Sequence, residues 1–541
     1  MHQDDMGKSY RLESPSLGVL DGVELPSGCR YFGGLPYGLP PLGPYRFRQP
    51  RALPESYRYG TKENPGRFQG GTAVCPQPKF PNQSLWNEDM LQLNIYISPG
   101  EKPAKGWPVF FYIHGGFLQW GDPNMDPSTL VPLMTETPFR AIVVAPAYRL
   151  NSFGYLCSRE LESEAHRNGE TTGNMGFWDQ RLALEWTAKN IEHFGGDRHN
   201  ITVGGYSAGS HSTFQQLAFE LYFVPEEKAI IRRAIMWSNS PGIQPKTVDE
   251  HQEQFDELLA ILDIPLHLPA ETKLARLRAT TPHDLIQAQD KLKISEFRAA
   301  TDGDFISKNI IANINSGDFA RRMKTRGIRL MNGECRDERF SYQTWRTPAS
   351  SFEAVHTRLC GDYPKAIVAK LMQHYCGPSM KLPAGVEDWQ ELFGIIYANM
   401  QVHCLERGFH NALVKGGLKP GKDLLRYRFN WRAKCVDGVY PPEWKVTHAT
   451  DLCIWWWGSG FGDGLTEDEK LILKPFNEAF SDFVAGKDVL WSTEQVKQVL
   501  RLDENGKTGI WIDDRWEEGL QVWELVNGSP SGILAWSWSK L

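Results

Sequence analysis

The sequence predicts an α/β fold, a central, mostly parallel sheet flanked by helices and carrying long helical insertions. Three observations predict it. Short β-rich apolar runs alternate with helical ones through the first half of the chain, each run ends in a turn, and at one place strand, helix and strand follow one another as in a parallel crossover.

The elements come in this order. "PVFFYIHGG" (Pro108 to Gly116), "RAIVVAPAYRL" (Arg140 to Leu150), "NITVGGYSAG" and "RRAIMWSNS" each read as a buried strand running into a turn. Between the second and third lies "NMGFWDQRLALEWTAKNIEHFGGD", where Trp178, Leu182 and Trp186 recur at helical spacing and Gly195-Gly196 stops the run. From about 246 to 324 the composition turns helical and charged. "TVDE" opens this stretch, and Thr247 with Glu250 suits a capping box ahead of Phe255, Leu258, Leu259 and Leu262. We read it as a helical insertion over the sheet. Strand-like runs return at "GIRLMNGE" (Gly327 to Glu334) and "DLLRYRFNW" (Asp423 to Trp431), so segments far apart in sequence complete the sheet. With no repeat, low-complexity segment or evident linker, 1–541 reads as a single domain.

Composition narrows the function classes. A hydrophobic content of 41% over 541 residues builds a large core, and a net charge of -6 without a dense Lys/Arg block argues against nucleic acid as a partner. No apolar run reaches membrane-spanning length, and the amino-terminal stretch lacks the apolar core of a secretory signal. The nine cysteines are odd in number and form no Cys-x-x-Cys pair, which fits reduced thiols; neither a metal nor a cofactor is expected. The chain ends in Ser539-Lys540-Leu541, the tripeptide address that the peroxisomal import receptor reads, so a peroxisomal location is expected, with the cytoplasm as the alternative.

The chemistry centres on "TVGGYSAGS" (Thr202 to Ser210). Ser207 sits in a Gly-x-Ser-x-Gly frame just after an apolar strand, and is either a nucleophile on a strained turn or a polar residue in a glycine-rich loop. Gly205 and Gly209 supply the room that a sharp strand-to-helix turn needs. Ala208 would put its N–H beside a reacting carbonyl oxygen, at the positive end of the following helix. The frame alone is a weak signal. Upstream, "IHGGFLQWG" follows a strand, as an oxyanion-donor loop does, and offers Gly115, Gly116 and the N–H of Phe117.

Taken together, "YFGGLPYGLPPLGPYRFRQP" (Tyr31 to Pro50), "NEDMLQLNIY", "AYRLNSFGYL", "GNMGFWDQRLALEWTAKNIEHFGGD", "TDGDF" and "FNEAFSDFVAGKD" resemble, in order, segments of the type-B carboxylesterases, the cholinesterase-like branch of the α/β-hydrolases. The resemblance covers nearly the whole chain. It implies a serine esterase with a Ser-Glu-His triad and an oxyanion hole of Gly116, Phe117 and Ala208. The family's acid segment falls on "GECRDER", which makes Glu338 the acid in preference to Asp337. Its histidine segment falls on "VTHATDLCIWW", which makes His448 the base. By the same match Ser238 resembles a serine that supports the acid.

Two departures stand out. Where secreted members carry a cysteine in Glu-Asp-Cys-Leu, this chain has Met90, so the first family disulfide cannot form and Cys75 is left alone. Where many members show His-Gly-Gly-Gly, the third glycine is Phe117, whose phenyl ring could narrow or line the acyl pocket. "WWW" (Trp455 to Trp457) could line an apolar pocket or pack in the core. The expected activity is hydrolysis of small-molecule carboxylic esters through a Ser207 acyl-enzyme. The alternatives are an acyl-CoA thioesterase or acyltransferase using the same residues, and a non-catalytic binding protein on the same fold.

Overall fold

The computed structural model describes residues 7–78 and 83–528, so the terminal Ser539-Lys540-Leu541 lies outside the described residues. The main sheet is built from Lys8–Ser14 (β1), Gly18–Glu24 (β2), Arg30–Pro36 (β3), Gln92–Ile97 (β4), Trp107–Ile113 (β5), Ile142–Pro146 (β6), Gly196–Tyr206 (β7), Ile231–Trp237 (β8), Arg329–Cys335 (β9), Leu424–Phe429 (β10), Gln498–Leu502 (β11) and Thr508–Ile512 (β12). They are hydrogen-bonded in the order β1-β2-β3-β4-β6-β5-β7-β8-β9-β10-β11-β12, with the two-residue strand Gly66–Arg67 beside β2. From β6 to β11 every neighbour is parallel; β1 to β4 and the final β12 run antiparallel.

The parallel block is made of runs buried on both faces, as a sheet covered on both sides requires. Every residue of β6 and β10 is buried. Side chains alternate between two cores: Val109, Phe111 and Ile113 of β5 enter one, Phe110 and Tyr112 the other. Helices Met175–Asn190 (α1) and Ala208–Phe223 (α2) cover the first core with Phe177, Leu184, Phe214 and Leu217.

The stretch 246–324 holds Val248–Ile261 (α3), Ala270–Ala279 (α4), Pro282–Asp290 (α5) and two shorter helices. The capping box forms as expected, with the Thr247 N–H donating to Glu250 Oε2 at 2.9 Å. Phe352–Asp362 (α6), Cys404–Lys415 (α7) and Glu467–Ala485 (α8) follow, and α8 closes the second core with Leu473, Phe476, Phe480 and Phe483. The strand-helix-strand unit read from sequence is β6-α1-β7, with β5 between the two strands and parallel to both. The parallel strands therefore present their carboxyl ends on one edge, where α/β proteins place their sites.

Candidate active site

At the end of β7 the chain turns sharply into α2, and Ser207 occupies the turn with φ 57° and ψ −123°. A residue with a side chain held there costs of order 1–3 kcal/mol. Its neighbours allow the turn to close: a Cβ on Gly205 would lie 2.4 Å from the carbonyl carbon of Gly209, and one on Gly209 would lie 1.9 Å from the Ile113 carbonyl oxygen. The Ser207 N–H donates to the Trp237 carbonyl of β8 at 2.9 Å, tying the turn to the sheet.

The loop after β9 brings Glu338, and the loop after β10 brings His448. His448 Nε2 lies 2.9 Å from Ser207 Oγ, and its Nδ1 lies 2.5 Å from Glu338 Oε2. Glu338 Oε1 accepts the Cys335 N–H at 2.9 Å. All three side chains are buried. Asp337 is turned elsewhere, accepting from Arg336 Nε at 2.8 Å and the Val446 N–H at 3.2 Å. The imidazole is packed between Tyr206 and Tyr342, with ring centroids 4.8 and 4.7 Å away, and the Tyr342 hydroxyl lies 3.1 and 3.2 Å from its two nitrogens. These contacts limit how the ring can turn.

Ser238 does not meet Glu338. Its hydroxyl donates to Asp451 Oδ2 at 3.2 Å. Asp451 is buried; burial, reinforced by the negative Glu338 nearby, pushes its carboxyl up to about 6, and its Oδ1 has no hydrogen-bond partner. Sequence reading missed this third carboxylate. The acidic residue that follows the family's histidine segment is the signal that points to it.

The loop after β5 lies on the serine. A Cβ on Gly115 would come within 3.1 Å of Ser207 Cβ. Gly116, Phe117 and Leu118 have φ of 110°, 59° and 63°, three left-handed residues in succession. For Phe117 and Leu118 this conformation costs about 1–2 kcal/mol each. Among the described residues no hydrogen-bond acceptor meets the N–H of Gly116, Phe117 or Ala208. A cavity of about 90 Å³ opens beside them, bounded by Phe117, Ser207, Ala208, Ile243, Tyr342 and Tyr397, with Arg298 to one side. Phe117 thus lines the space next to Ser207. The "WWW" segment does not. Trp455 stacks on Trp237 at 5.4 Å in the core on the other face of the sheet.

Met90 and Cys75 are both buried, and the Cys75 sulfur accepts the Leu150 N–H at 3.4 Å. Cys435 and Cys453 bring their sulfurs within 3.2 Å, a juxtaposition that spacing in the sequence did not announce. Among the described residues no group of three or more His, Cys, Asp or Glu side chains is placed to hold a metal ion, and no helix is long and apolar enough to cross a membrane.

The family model described as "Carboxylesterase family" matches residues 12–531. A carboxylic ester hydrolase of Gibberella moniliformis is 54% identical over 533 residues, covering 97% of both chains. An uncharacterised esterase/lipase of Schizosaccharomyces pombe is 38% identical, over 96% of this chain and 97% of its own. Among solved structures, a PNB esterase superposes with a TM-score of 0.72 at 25% identity, covering 95% of this chain and all of the other.

Proposed function

Because the chain belongs to the carboxylesterase family and is a carboxylic ester hydrolase, we propose that it works through an acyl-enzyme on Ser207. His448 Nε2 takes the proton from Ser207 Oγ as that oxygen attacks the substrate carbonyl carbon. Glu338 keeps the Nδ1 proton in place and stabilises the imidazolium. The N–H groups of Gly116, Phe117 and Ala208 hold the tetrahedral oxyanion, assisted by the positive end of α2. Breakdown passes the proton from His448 to the leaving alkoxide. A water molecule, deprotonated by His448, then attacks the acyl carbon and releases the acid and the free serine.

The observation that carries this reading is the row of two hydrogen bonds from Ser207 through His448 to Glu338, 2.9 and 2.5 Å long, on a turn that no unstrained serine adopts. The size of the cavity adds a preference. An apolar cavity of about 150 Å³ takes a benzene ring, so about 90 Å³ suits short acyl groups. Turnover of p-nitrophenyl esters is expected to fall at least tenfold between butyrate and octanoate.

The test is labelling by a fluorophosphonate probe, together with hydrolysis of graded p-nitrophenyl esters and acyl-CoA, in wild type and a folded Ser207→Ala variant. Labelling and ester turnover that vanish in the variant support the proposal. Faster turnover of acyl-CoA than of matched esters would replace esterase by thioesterase. A folded wild type that neither labels nor turns over any substrate sinks the mechanism and favours a binding role.

A further inference from the structure

Arg298 stands beside the Ser207 cavity in the irregular stretch that follows α5. Its side chain is only 14% exposed. Nη1 donates to the carbonyl oxygen of Phe117, and Nε donates to Asp362 at the end of α6. The other oxygen of Asp362 takes Arg358.

We propose that Arg298, anchored by Asp362, is a positioning residue for the oxyanion hole: by fixing the Phe117 carbonyl it keeps Phe117 left-handed, the conformation in which the loop's own bonds to the Gly116 carbonyl can hold the Phe117 N–H toward the reacting oxygen. The proposal rests on the reading that this N–H stabilises the tetrahedral oxyanion.

Two peptide planes meet at Phe117, and fixing both fixes its φ and ψ. The plane that contains its N–H also contains the Gly116 carbonyl, which accepts from the N–H groups of Gln119 and Trp120 at 2.8 and 3.0 Å. That plane is secured from inside the loop. The plane that contains the Phe117 carbonyl is held by side chains, through Arg298 and through Gln119 Nε2 at 3.2 Å. Gln119 is tied to the same stretch as Arg298: its Nε2 donates to the Phe297 carbonyl at 2.6 Å, and its Oε1 accepts the Phe297 N–H at 3.1 Å.

Glycine at this position would populate the left-handed region unaided. Phenylalanine does not, so the external bonds take over what the missing side chain does in a glycine loop. A guanidinium suits the role because a charged donor makes the stronger bond, and Asp362 both pairs its charge and fixes the direction of its fork.

The test uses the full chain. Arg298→Gln and Arg298→Lys are compared with wild type, and Phe117→Gly is made alone and combined with Arg298→Gln. The readouts are kcat and KM for p-nitrophenyl acetate and the affinity for a trifluoromethyl ketone that Ser207 adds to. Removing one oxyanion donor costs about 10²–10³ in kcat. A misaimed donor should cost less, so Arg298→Gln is expected to lower kcat about 10- to 100-fold, with KM within about twofold, and to weaken the ketone by the same factor.

Arg298→Lys should recover part of the loss. In the Phe117→Gly background the loss should shrink to less than about threefold. A folded Arg298→Gln enzyme with kcat and ketone affinity within twofold of wild type overturns the proposal. So does an effect confined to KM, or an undiminished loss in the glycine background. If Arg298→Gln fails to fold, Arg298→Lys decides by the same split between kcat and KM. Failure of the underlying mechanism looks different: wild type would not label with fluorophosphonate, and both readings would fall together.

Discussion

Four residues apart on the same stretch of chain, Glu334 and Glu338 each hold a histidine. Glu338 Oε2 lies 2.5 Å from His448 Nδ1, and Glu334 Oε2 lies 2.6 Å from His403 Nδ1. The two pairs are alike in geometry and burial and differ in what surrounds them. Besides its histidine, Glu338 accepts one backbone N–H. Glu334 accepts two bonds from Arg407, at 2.9 and 3.1 Å, and one from Arg428.

Arg407 in turn bonds Asp513, which also takes Arg426, so the second pair belongs to a buried ion cluster between β9, β10 and α7. Burial opposes ionisation of Glu334, but Arg407, His403 and Arg428 outweigh it and hold the carboxyl well below the usual range. Burial lowers His403. Among the described residues no serine, threonine or cysteine is hydrogen-bonded to His403, whereas His448 meets Ser207. A Glu–His contact by itself is therefore not chemistry. On the proposed mechanism, what sets the reacting pair apart is a carboxylate without arginine partners and a second ring nitrogen aimed at a nucleophile.

The sharpest way to break this comparison is to neutralise each glutamate. Glu338→Gln should lower kcat for p-nitrophenyl butyrate about 10³- to 10⁴-fold by disturbing the imidazole tautomer and its charged form, with the melting temperature nearly unchanged. A loss under tenfold would put the two pairs on the same footing.

Glu334→Gln should do the reverse. It leaves two buried guanidinium groups short of a counter-charge, which destabilises by about 3–5 kcal/mol, read from urea unfolding. The kcat of the folded fraction should stay within about threefold of wild type.

The smallest effect is expected at Asp451, the third carboxylate, which has neither an arginine nor a short histidine bond. Its folded carboxyl is raised to about 6, so folded and unfolded chains are both protonated near pH 3. As pH rises, the unfolded chain ionises first and the folded state loses stability until about pH 6. Asp451→Asn removes that loss. Its advantage in melting temperature over wild type should grow between pH 4 and 6 and level off above, corresponding to at most about 3 kcal/mol. An advantage that does not change with pH would show that Asp451 is not titrating there.

The sequence carried these features unequally. β5 to β10 were legible because each carries a run of buried residues ending in a turn, and Ser207 and the Gly115–Phe117 loop were legible because each is a local pattern at the end of such a run. β1 to β3 were not: in β1 exposed and part-buried residues alternate, and nothing local marks such a segment as paired. "GECRDER" contains both glutamates of the comparison, and only the resemblance, not the local residues, favoured Glu338. The partner of Ser238, the reach of Arg298 to Phe117 and the meeting of Cys435 with Cys453 depend on how distant segments pack, which no window of sequence displays.

The row from serine to glutamate is also spread along the chain. Ser207 and His448 are 241 residues apart, and Glu338 and His448 are 110 apart. A ribosome adds roughly 5–20 residues per second, so about 12 to 50 s separate the emergence of the serine from that of its base. On the proposed mechanism, the nascent polypeptide carries throughout that interval a serine without the histidine that would take its proton. Reactivity would then arrive late, once β9, β10 and the loops that follow them are in place, and a chain truncated before His448 should show no turnover.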